Sequence, residues 1–464
     1  MTAQPLNELG LRVLANVDAD RGDYAADLLR VPVTDYTDEQ LFAREVEAAF
    51  RRSPLMVALS CDIPNAGDFT SLDIADRPIV VVRGEDGVAR TFLNACRHRG
   101  AAVTNECFGH GRRLTCPYHS WVYDTEGKLV GLPGREAFDG LDVDRLIEFP
   151  TQERSGAIFS VLTVGAEFDV DEWLGDMASA LEILKLDQLY RHDVETKLPS
   201  GNWKATADGY LDGYHLGYLH RNTIGGKSIT NRNTYDLYGP HVRIGFANKP
   251  ILDQRDTPVE EWDMYGAFSL VHYIFPNISI SGHPTTGLMV SRLFPGPKVD
   301  ECSVIQYQYF RAPLVGEEAL AEAEAKRQRY AAVTYEEDFL TVMGIGKRTK
   351  ALADDYFRFG RNEMGNQNLH SWVKRVAVRR RLSVLRPTVA RLGWQTPIQA
   401  PLRSAGADDP RRQDLTGEPP AFRWPTAEAQ RAGDLCVGPV EHLLEQGDGV
   451  AQFILRRDHR SDHR

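Results

Sequence analysis

The chain has 464 residues, 42% of them hydrophobic, and a formal net charge of −11 from 54 basic and 65 acidic residues. This length suggests two or three domains, and the acidic balance argues against a protein that binds nucleic acid. No apolar run reaches the roughly 18 residues that a membrane span needs. The N-terminus shows no signal-peptide pattern and the chain has only 6 cysteines, so we expect a cytoplasmic protein without a disulfide framework.

The first predicted elements are one helix and two β-hairpins. Residues 37–52 have helical spacing of apolar side chains, and Thr37 is the predicted cap. Arg77–Cys96 and Ser120–Pro133 each contain two β-rich runs that turn at an acidic residue followed by glycine. These hairpins predict a small antiparallel β domain.

The middle of the chain separates helices from strands. Helices are predicted over residues 171–190, 206–220 and 316–347, and consecutive strands over 268–311. Such segregated runs are typical of an α+β fold. After Lys374 the chain contains no lysine and loses its periodicity, so we expect disorder there. The predicted domains are an N-terminal helical arm (1–44), the small β domain (45–155), a second mixed domain (156–376) and a disordered tail (377–464).

Two matched pairs of metal-binding residues lie in the small β domain. They are Cys96-x-His98 and Cys116-x-x-His119, and each pair offers one sulfur and one nitrogen. Two cysteines and two histidines also suit a zinc ion, although zinc fingers usually pair like with like. A [2Fe–2S] cluster held by two thiolates on one iron and two imidazoles on the other fits the mixed pairs directly.

A second group of candidate ligands lies in the second domain, where Asp212-x-x-His215 is followed by His220. Two histidines and a distant carboxylate are the ligand set of non-haem Fe(II) oxygenases. On a regular helix the two histidines would point about 140° apart. A shared metal therefore requires the helix to bulge or end between them, which Gly217 permits.

The two motifs, with Asn202-Trp203-Lys204 upstream of the second, resemble the α (catalytic) subunits of the Rieske non-haem iron, ring-hydroxylating oxygenases. The resemblance covers residues 35–375. It implies that the cysteines hold one iron of a Rieske [2Fe–2S] cluster and the histidines of the same loops hold the other. Ser120 departs from the glycine that many relatives carry, and Cys107 lies outside the pattern, so we interpret it as structural.

For the second group, the resemblance implies a mononuclear Fe(II) bound by His215, His220 and Asp338. Asp338 belongs to an acidic stretch, in which Glu336 and Glu337 are its nearest competitors. Asp212 is the expected catalytic residue outside the ligand set: it accepts the free N–H of one histidine and links it to the Rieske histidine of a neighbouring subunit.

The resemblance also implies the architecture and the activity. We expect a small β Rieske domain followed by a helix-grip (START-like) domain, acting as a terminal oxygenase that hydroxylates a small aromatic or related apolar substrate with O2. Electrons would come from a ferredoxin and/or an NAD(P)H-dependent reductase, and the assembly would be a homotrimer, with or without a β subunit. A Rieske electron-transfer protein without oxygenase activity and a zinc-stabilised ligand-binding module remain the alternatives. The sequence does not choose between dihydroxylation and monooxygenation.

Overall fold

The computed structural model describes residues 6–192, 194–283 and 287–378. The tail predicted beyond residue 376 therefore lies, except for two residues, outside the described part of the chain.

The N-terminal segment lies against the second domain. Its elements are α1 (Leu6–Asp18), β1 (Leu29–Pro32) and α2 (Glu39–Glu45). In α1, Leu9 and Val13 are fully buried in a cluster that includes strand residues of the second domain. β1 pairs antiparallel with a strand near the end of the described chain, so the segment is tied to the middle and to the end of that domain.

The helix predicted over residues 37–52 forms, with a different cap and a different end. The side chain of Asp38, not Thr37, accepts hydrogen bonds from the backbone N–H groups of Gln40 and Leu41, at 2.7 and 2.9 Å. After α2 the helix continues as a π-helical turn over Val46–Arg51. The prediction failed at the cap because two neighbouring residues had suitable side chains and only backbone geometry selects one.

The small domain consists of short antiparallel strands. They are β2 (Leu55–Leu59), β3 (Asp68–Ile74), β4 (Arg77–Arg83), β5 (Ala89–Leu93), β6 (Phe108–His110), β7 (Arg113–Thr115), β8 (Val122–Asp124), β9 (Leu129–Gly131), β10 (Glu148–Phe149), β11 (Thr151–Arg154) and β12 (Ala157–Ser160). They form sheets in the orders β10-β5-β4-β3-β6, β11-β12-β2 and β7-β8-β9. Both predicted hairpins are present, as β4–β5 and β8–β9. β12 lies just beyond the predicted boundary at residue 155, which stays a prediction.

The second domain is built on one large antiparallel sheet with helices against it. Its elements are α3 (Val170–Leu174), α4 (Met177–Glu182), β13 (Tyr190–Arg191), β14 (Thr196–Ser200), α5 (Trp203–Leu211), β15 (Thr234–Tyr238), β16 (His241–Ala247), α6 (Met264–Ala267), β17 (Phe268–Ile274), β18 (Ile278–His283), β19 (Gly287–Pro295), β20 (Cys302–Phe310), α7 (Glu317–Ala332), α8 (Leu340–Thr349), β21 (Tyr356–Phe359) and α9 (Met364–Val378). The sheet order is β13-β20-β19-β18-β17-β16-β15, and β14 also pairs with β20. Helix α5 packs on β17 and β19, and α9 on β15 and β16.

Three predicted helices differ from those observed. Residues 171–190 contain α3, α4 and a short 3-10 turn before β13. The helix predicted over 206–220 ends at Leu211, before both candidate histidines. The helix predicted over 316–347 is present, but a π-helical stretch over Val333–Phe339 joins α7 to α8. Among the described helices, none is both long and apolar enough to cross a membrane.

A buried ion cluster joins the two domains. Asp62 lies in the short 3-10 turn that follows β2, and its side chain is fully buried. Its carboxylate is 3.0 Å from both Arg191 of β13 and Arg292 of β19. The hydroxyl of Tyr309 on β20 also donates to this carboxylate at 3.0 Å. Burial opposes ionisation, but the two arginines lower the pKa of Asp62 overall, so the carboxylate remains charged in the interface.

Asp62→Ala is expected to destabilise the fold by about 3–5 kcal/mol, because it leaves buried arginines without their counter-charge. Urea denaturation followed by tryptophan fluorescence measures this loss. The matched control is Asp18→Ala, which removes an exposed pair with Arg255 and is expected to change little. An equally small change in both variants would contradict the role given to Asp62.

Candidate functional site

The four candidate cluster ligands lie on two loops with matching backbones. Cys96 follows β5, and Cys116 lies between β7 and β8. In each loop the cysteine carbonyl accepts from the N–H four residues later, Gly100 at 2.9 Å and Ser120 at 3.0 Å. Each cysteine N–H in turn donates to the carbonyl five residues later, at 2.7 and 2.9 Å. The two loops therefore present their cysteines in the same way.

The matching loops show how serine is accommodated at position 120, where many relatives carry glycine. Gly100 and Ser120 occupy equivalent positions and both have positive φ, +78° and +57°. Glycine adopts this conformation freely, whereas another residue pays roughly 1–2 kcal/mol for it. The serine therefore keeps the loop geometry with local strain and does not disturb the candidate ligands.

The side chains of the two loops converge. The thiols of Cys96 and Cys116 are buried and free of disulfides, and Cys116 lies close enough to contribute, after burial, to the raised pKa of Cys96. The rings of His98 and His119 are 4.6 Å apart between centroids. In the described structure, Nδ1 of each is buried without a hydrogen-bond partner. Buried nitrogens of this kind require a partner, and a [2Fe–2S] cluster would supply one to these two, with the two thiolates as its other protein ligands.

Neighbouring aromatic residues support these ligands. The ring of Trp121 stacks on His98 at 4.9 Å and 8°. The hydroxyl of Tyr123 accepts the N–H of Arg97 at 3.0 Å and lies 3.3 Å from the sulfur of Cys96, to which it can donate. A hydrogen bond to a ligating sulfur is one of the means by which a protein raises the potential of an iron–sulfur cluster.

The second group forms after the end of α5. Asp212 has extended backbone angles, φ −122° and ψ 152°, which stop the helix. Its carboxylate accepts the N–H groups of Tyr214 and His215, at 2.7 and 3.1 Å, and also Nδ1 of His215 at 2.9 Å. The chain from here to His220 runs in turns, so the helical geometry that would separate the two histidines does not apply.

Both histidines meet the predicted third residue, Asp338. Nε2 of His220 is 3.1 Å, and Nε2 of His215 is 3.7 Å, from the same carboxylate oxygen. Within the described ranges, these three residues are the one group whose ligand atoms all lie within 4.8 Å of one another. Asp338 lies on the π-helical stretch between α7 and α8, a form often found at functional sites. Two neutral nitrogens and one anionic oxygen suit Fe(II) with open positions.

Glu337 has a role that the sequence did not reveal. In the sequence it is only a competitor of Asp338 for the iron, but its carboxylate lies 2.5 Å from Nδ1 of His220 and accepts from Thr223 at 2.8 Å. Asp212 holds His215 in the same way, so each imidazole gives Nδ1–H to a carboxylate and directs Nε2 to Asp338. Glu336 is exposed and lies outside the group.

The electrostatics of this group favour a bound cation. Burial opposes protonation of His215, but Asp212 and then Asp338 raise its pKa to about 9. The pKa of His220 is also raised, against burial, by Asp338 and Glu337. Without a metal, these carboxylates stabilise protons on the two imidazoles. The same negative charges would stabilise a divalent ion that replaces those protons.

Glu337→Gln is expected to weaken binding of the mononuclear iron by about 10- to 100-fold, the usual effect of removing a carboxylate behind a ligating histidine. Competition with a ferrous chelator measures this change, with iron counted per subunit. The adjacent Glu336→Gln makes the same chemical change outside the group and should bind iron as the unaltered protein does. Equal affinities in both variants would remove Glu337 from the site.

Buried polar contacts hold α5, the helix that leads to Asp212. Asp208 accepts from the Tyr36 hydroxyl at 2.9 Å and lies 3.0 Å from Nε2 of His370 on α9. Lys204 lies 2.6 Å from Glu45, and both side chains are 2% exposed. The N-terminal segment and α9 thereby hold both the start and the second half of α5, the helix after which the second group begins.

Two family profiles match the chain. The profile described as "Rieske [2Fe-2S] domain" matches residues 53–150, and "Ring hydroxylating alpha subunit (catalytic domain)" matches residues 186–377. Together they cover more than half of the chain. The first range contains all four loop ligands, and the second contains the group around Asp338. Fold and site thus define a Rieske iron–sulfur domain joined to a mononuclear-iron catalytic domain.

Curated relatives agree with these matches. Biphenyl 2,3-dioxygenase subunit alpha of Rhodococcus jostii (strain RHA1) is 36% identical over 194 residues, 39% of this chain and 41% of that protein. The carnitine monooxygenase oxygenase subunit of Escherichia coli (strain K12) is 29% identical over 335 residues, 69% of this chain and 84% of that protein. The chain thus spans less than half of the first relative and most of the second.

Solved structures share the fold. The quaternary ammonium Rieske monooxygenase CntA, in complex with an inhibitor, has a TM-score of 0.65 at 20% identity, covering 81% of this chain and 100% of that one. Naphthalene 1,2-dioxygenase from Rhodococcus sp., bound to indole, has a TM-score of 0.63 at 21% identity, covering 82% and 100%.

The chain belongs to the alpha subunits of the Rieske ring-hydroxylating oxygenases. It is therefore an oxygenase component and not an electron-transfer protein alone. Its cofactors are a Rieske [2Fe–2S] cluster and a mononuclear iron. The predicted family, fold class and cofactors are confirmed, and the zinc-stabilised module is set aside.

Proposed function

We propose that this chain is a terminal oxygenase that hydroxylates an aromatic substrate, with O2 as oxidant and electrons from a ferredoxin and/or an NAD(P)H-dependent reductase. When bound, the cluster transfers single electrons and the mononuclear iron activates dioxygen. The observation that carries the proposal is the meeting of Nε2 of His215 and His220 with the Asp338 carboxylate. These residues hold the iron, while Cys96, His98, Cys116 and His119 hold the cluster.

Asp212 and Glu337 act on the histidines and not on the substrate. Each accepts Nδ1–H of one imidazole and so keeps Nε2 free of a proton and aimed at the iron. For Asp212 we propose a second contact, with His119 of the partner subunit, in a head-to-tail homotrimer. The exposed flank of this turn supports that arrangement, since Tyr214 and Tyr218 are 49% and 69% exposed there. A closed ring of three such contacts buries the same two surfaces in every subunit.

The nature of the substrate follows from the relatives and from charge. Relatives are named for biphenyl, for anthranilate and for the quaternary ammonium compound carnitine. Among the described residues, the lining of a cavity beside α7 includes Lys326 and no acidic residue, which disfavours a quaternary ammonium cation there. We therefore propose an aromatic substrate. The cytoplasmic location belongs to the same proposal, because Cys61, Cys96, Cys116 and Cys302 carry free thiols.

Three measurements on the purified protein test this function. Iron content, acid-labile sulfide and the visible spectrum report both cofactors. Incubation with a panel of aromatic compounds, a surrogate reductase and isotopically labelled dioxygen then shows whether labelled oxygen enters a product. Labelled phenol or dihydrodiol is the expected result. A fully loaded protein that reoxidises its cluster without labelling any aromatic compound would overturn the proposal.

A further inference from the structure

Helix α9 packs closely against the last turn of α5. A Cβ at Gly365 would lie 2.5 Å from the carbonyl oxygen of Leu211, the residue at which α5 ends, so only glycine fits there. The next residue of α9 is the buried Asn366. Its Nδ2 donates to the backbone carbonyl of Asp208 at 3.0 Å and to the Asp208 carboxylate at 3.2 Å. The start of α9 therefore holds this turn by both its backbone and its side chain.

The Asp208 carboxylate is also the centre of a buried polar cluster. The hydroxyl of Tyr36 donates to one carboxylate oxygen at 2.9 Å, and Nε2 of His370 lies 3.0 and 3.2 Å from the two oxygens. Because a carboxylate only accepts, Nε2 of His370 carries the proton of this contact. Burial, and then the charge of Asp208, raise the pKa of Tyr36, so its hydroxyl keeps the proton that it donates.

Tyr36 contacts α5 at both ends. Its backbone carbonyl accepts Nδ2 of Asn202 at 3.2 Å, and Oδ1 of Asn202 caps the helix by accepting the N–H of Lys204 at 2.9 Å. Its hydroxyl bonds Asp208 in the last turn. One residue of the N-terminal segment thus bonds the cap and the last turn together, so α5 cannot shift along its axis without losing both contacts.

Asp208 lies one helical turn before Asp212, about 6 Å along the axis. Burial, and also the charges of Asp212 and Asp208, raise the pKa of Glu363 to about 7, so the start of α9 lies within electrostatic range of both aspartates. The Asp212 carboxylate is 2.9 Å from Nδ1 of His215. A shift or rotation of the last turn would therefore move this carboxylate away from the imidazole that it supports.

We propose that Asp208 is a positioning residue: by anchoring the last turn of α5 it fixes the Asp212 carboxylate on His215 and so sets the rate at which electrons reach the mononuclear iron. This inference rests on the proposed oxygenase function. It assigns Asp208 no contact with the metal or the substrate. Misplacement of a group by 1 Å can cost about 100-fold in rate, so loss of the anchor is expected to slow electron transfer by at least about tenfold.

Asp208→Ala in the holoenzyme, loaded with excess Fe(II), tests the proposal with two readouts. The first is single-turnover reoxidation of the reduced cluster with substrate and dioxygen present, which should be at least about tenfold slower. The second is the electron paramagnetic resonance spectrum of the nitrosyl adduct of the mononuclear Fe(II), whose symmetry should change. Asp208→Asn keeps an oxygen that accepts these hydrogen bonds and should largely restore both.

Leu9→Ala is the control for lost stability. It truncates a fully buried side chain of α1, in a cluster whose described members include no residue of α5. It should lower the melting temperature while both readouts stay as in the unaltered protein. His370→Phe keeps a ring of similar shape and removes one donor to Asp208, so it serves as the second variant if Asp208→Ala does not fold. Circular dichroism and cluster absorbance establish folding in each case.

The outcomes separate a positioning role from a stabilising one. An ordinary reoxidation rate and an unchanged nitrosyl spectrum in the folded, iron-loaded variant overturn the proposal, because Asp208 then contributes stability alone. Equal losses in Leu9→Ala overturn it as well. The nitrosyl spectrum needs no turnover. A changed spectrum in a protein whose unaltered form labels no aromatic compound therefore leaves the positioning role standing and overturns the oxygenase proposal instead.

Discussion

Replacing His220 by alanine is expected to abolish hydroxylation while the visible spectrum of the Rieske cluster remains. Nε2 of His220 lies 3.1 Å from Asp338, and its other nitrogen is held by Glu337, so the variant loses a proposed ligand together with its support. Loss of a residue behind a ligand already costs about 10- to 100-fold, so loss of the ligand itself should cost more than about 100-fold in activity. Product formation and iron content per subunit measure the effect.

The cluster should survive this change because its ligands belong to another core. Cys96 and Cys116 are packed with Trp121 and Tyr123 of the small domain, whereas His220 belongs to the turns after α5. His110→Ala, which alters an exposed histidine of the small domain, is the control and should keep full activity. Activity near that of the unaltered protein in His220→Ala would remove this residue from the metal group.

The second large effect is expected for Asp212→Asn: loaded with excess Fe(II), it should carry both irons and keep the proposed oligomer but slow electron transfer to the mononuclear site by about 10- to 100-fold or more. An amide accepts Nδ1–H of His215 only through its carbonyl and carries no charge. It therefore stabilises the imidazole less as a ligand and no longer makes the proposed charge-assisted link to His119 of the partner subunit.

Single-turnover reoxidation of the reduced cluster, with substrate and dioxygen present, measures this step directly. Glu336→Gln neutralises a nearby exposed carboxylate and should reoxidise at the ordinary rate. An ordinary rate in an iron-loaded Asp212→Asn oligomer would show that Asp212 only shapes the turn. Asp212 does shape the turn, because its carboxylate accepts the N–H groups of Tyr214 and His215.

The β-hairpins and the four loop residues were accessible from the sequence because their signals are local. Acidic-glycine turns fix the hairpins, and a cysteine–histidine pair at each tip marks the ligands. The end of α5 was missed, although Asp212 followed by Gly213 is a plausible stop signal. The helical spacing of Leu211, His215 and Tyr218 competed with that signal, and the carboxylate cap decided the outcome.

Other features depend on contacts between distant segments. The spacing of residues along the chain does not show which nitrogen of His220 faces a carboxylate. The sequence therefore does not distinguish Glu337, which contacts Nδ1 of His220, from a metal ligand. Asp338 could be selected only through the family resemblance, since three adjacent acidic residues offer the same chemistry.

The two metal groups differ in the histidine ring nitrogen that each directs to its centre. In the small domain, the buried Nδ1 atoms of His98 and His119 have no protein partner within the described chain, whereas His215 and His220 give Nδ1 to carboxylates and direct Nε2 inwards. Position-specific isotopic enrichment of histidine therefore distinguishes the centres magnetically. Strong hyperfine coupling from enriched Nδ1 should appear in the resonance of the reduced cluster, and strong coupling from enriched Nε2 in that of the nitrosyl adduct of the mononuclear Fe(II).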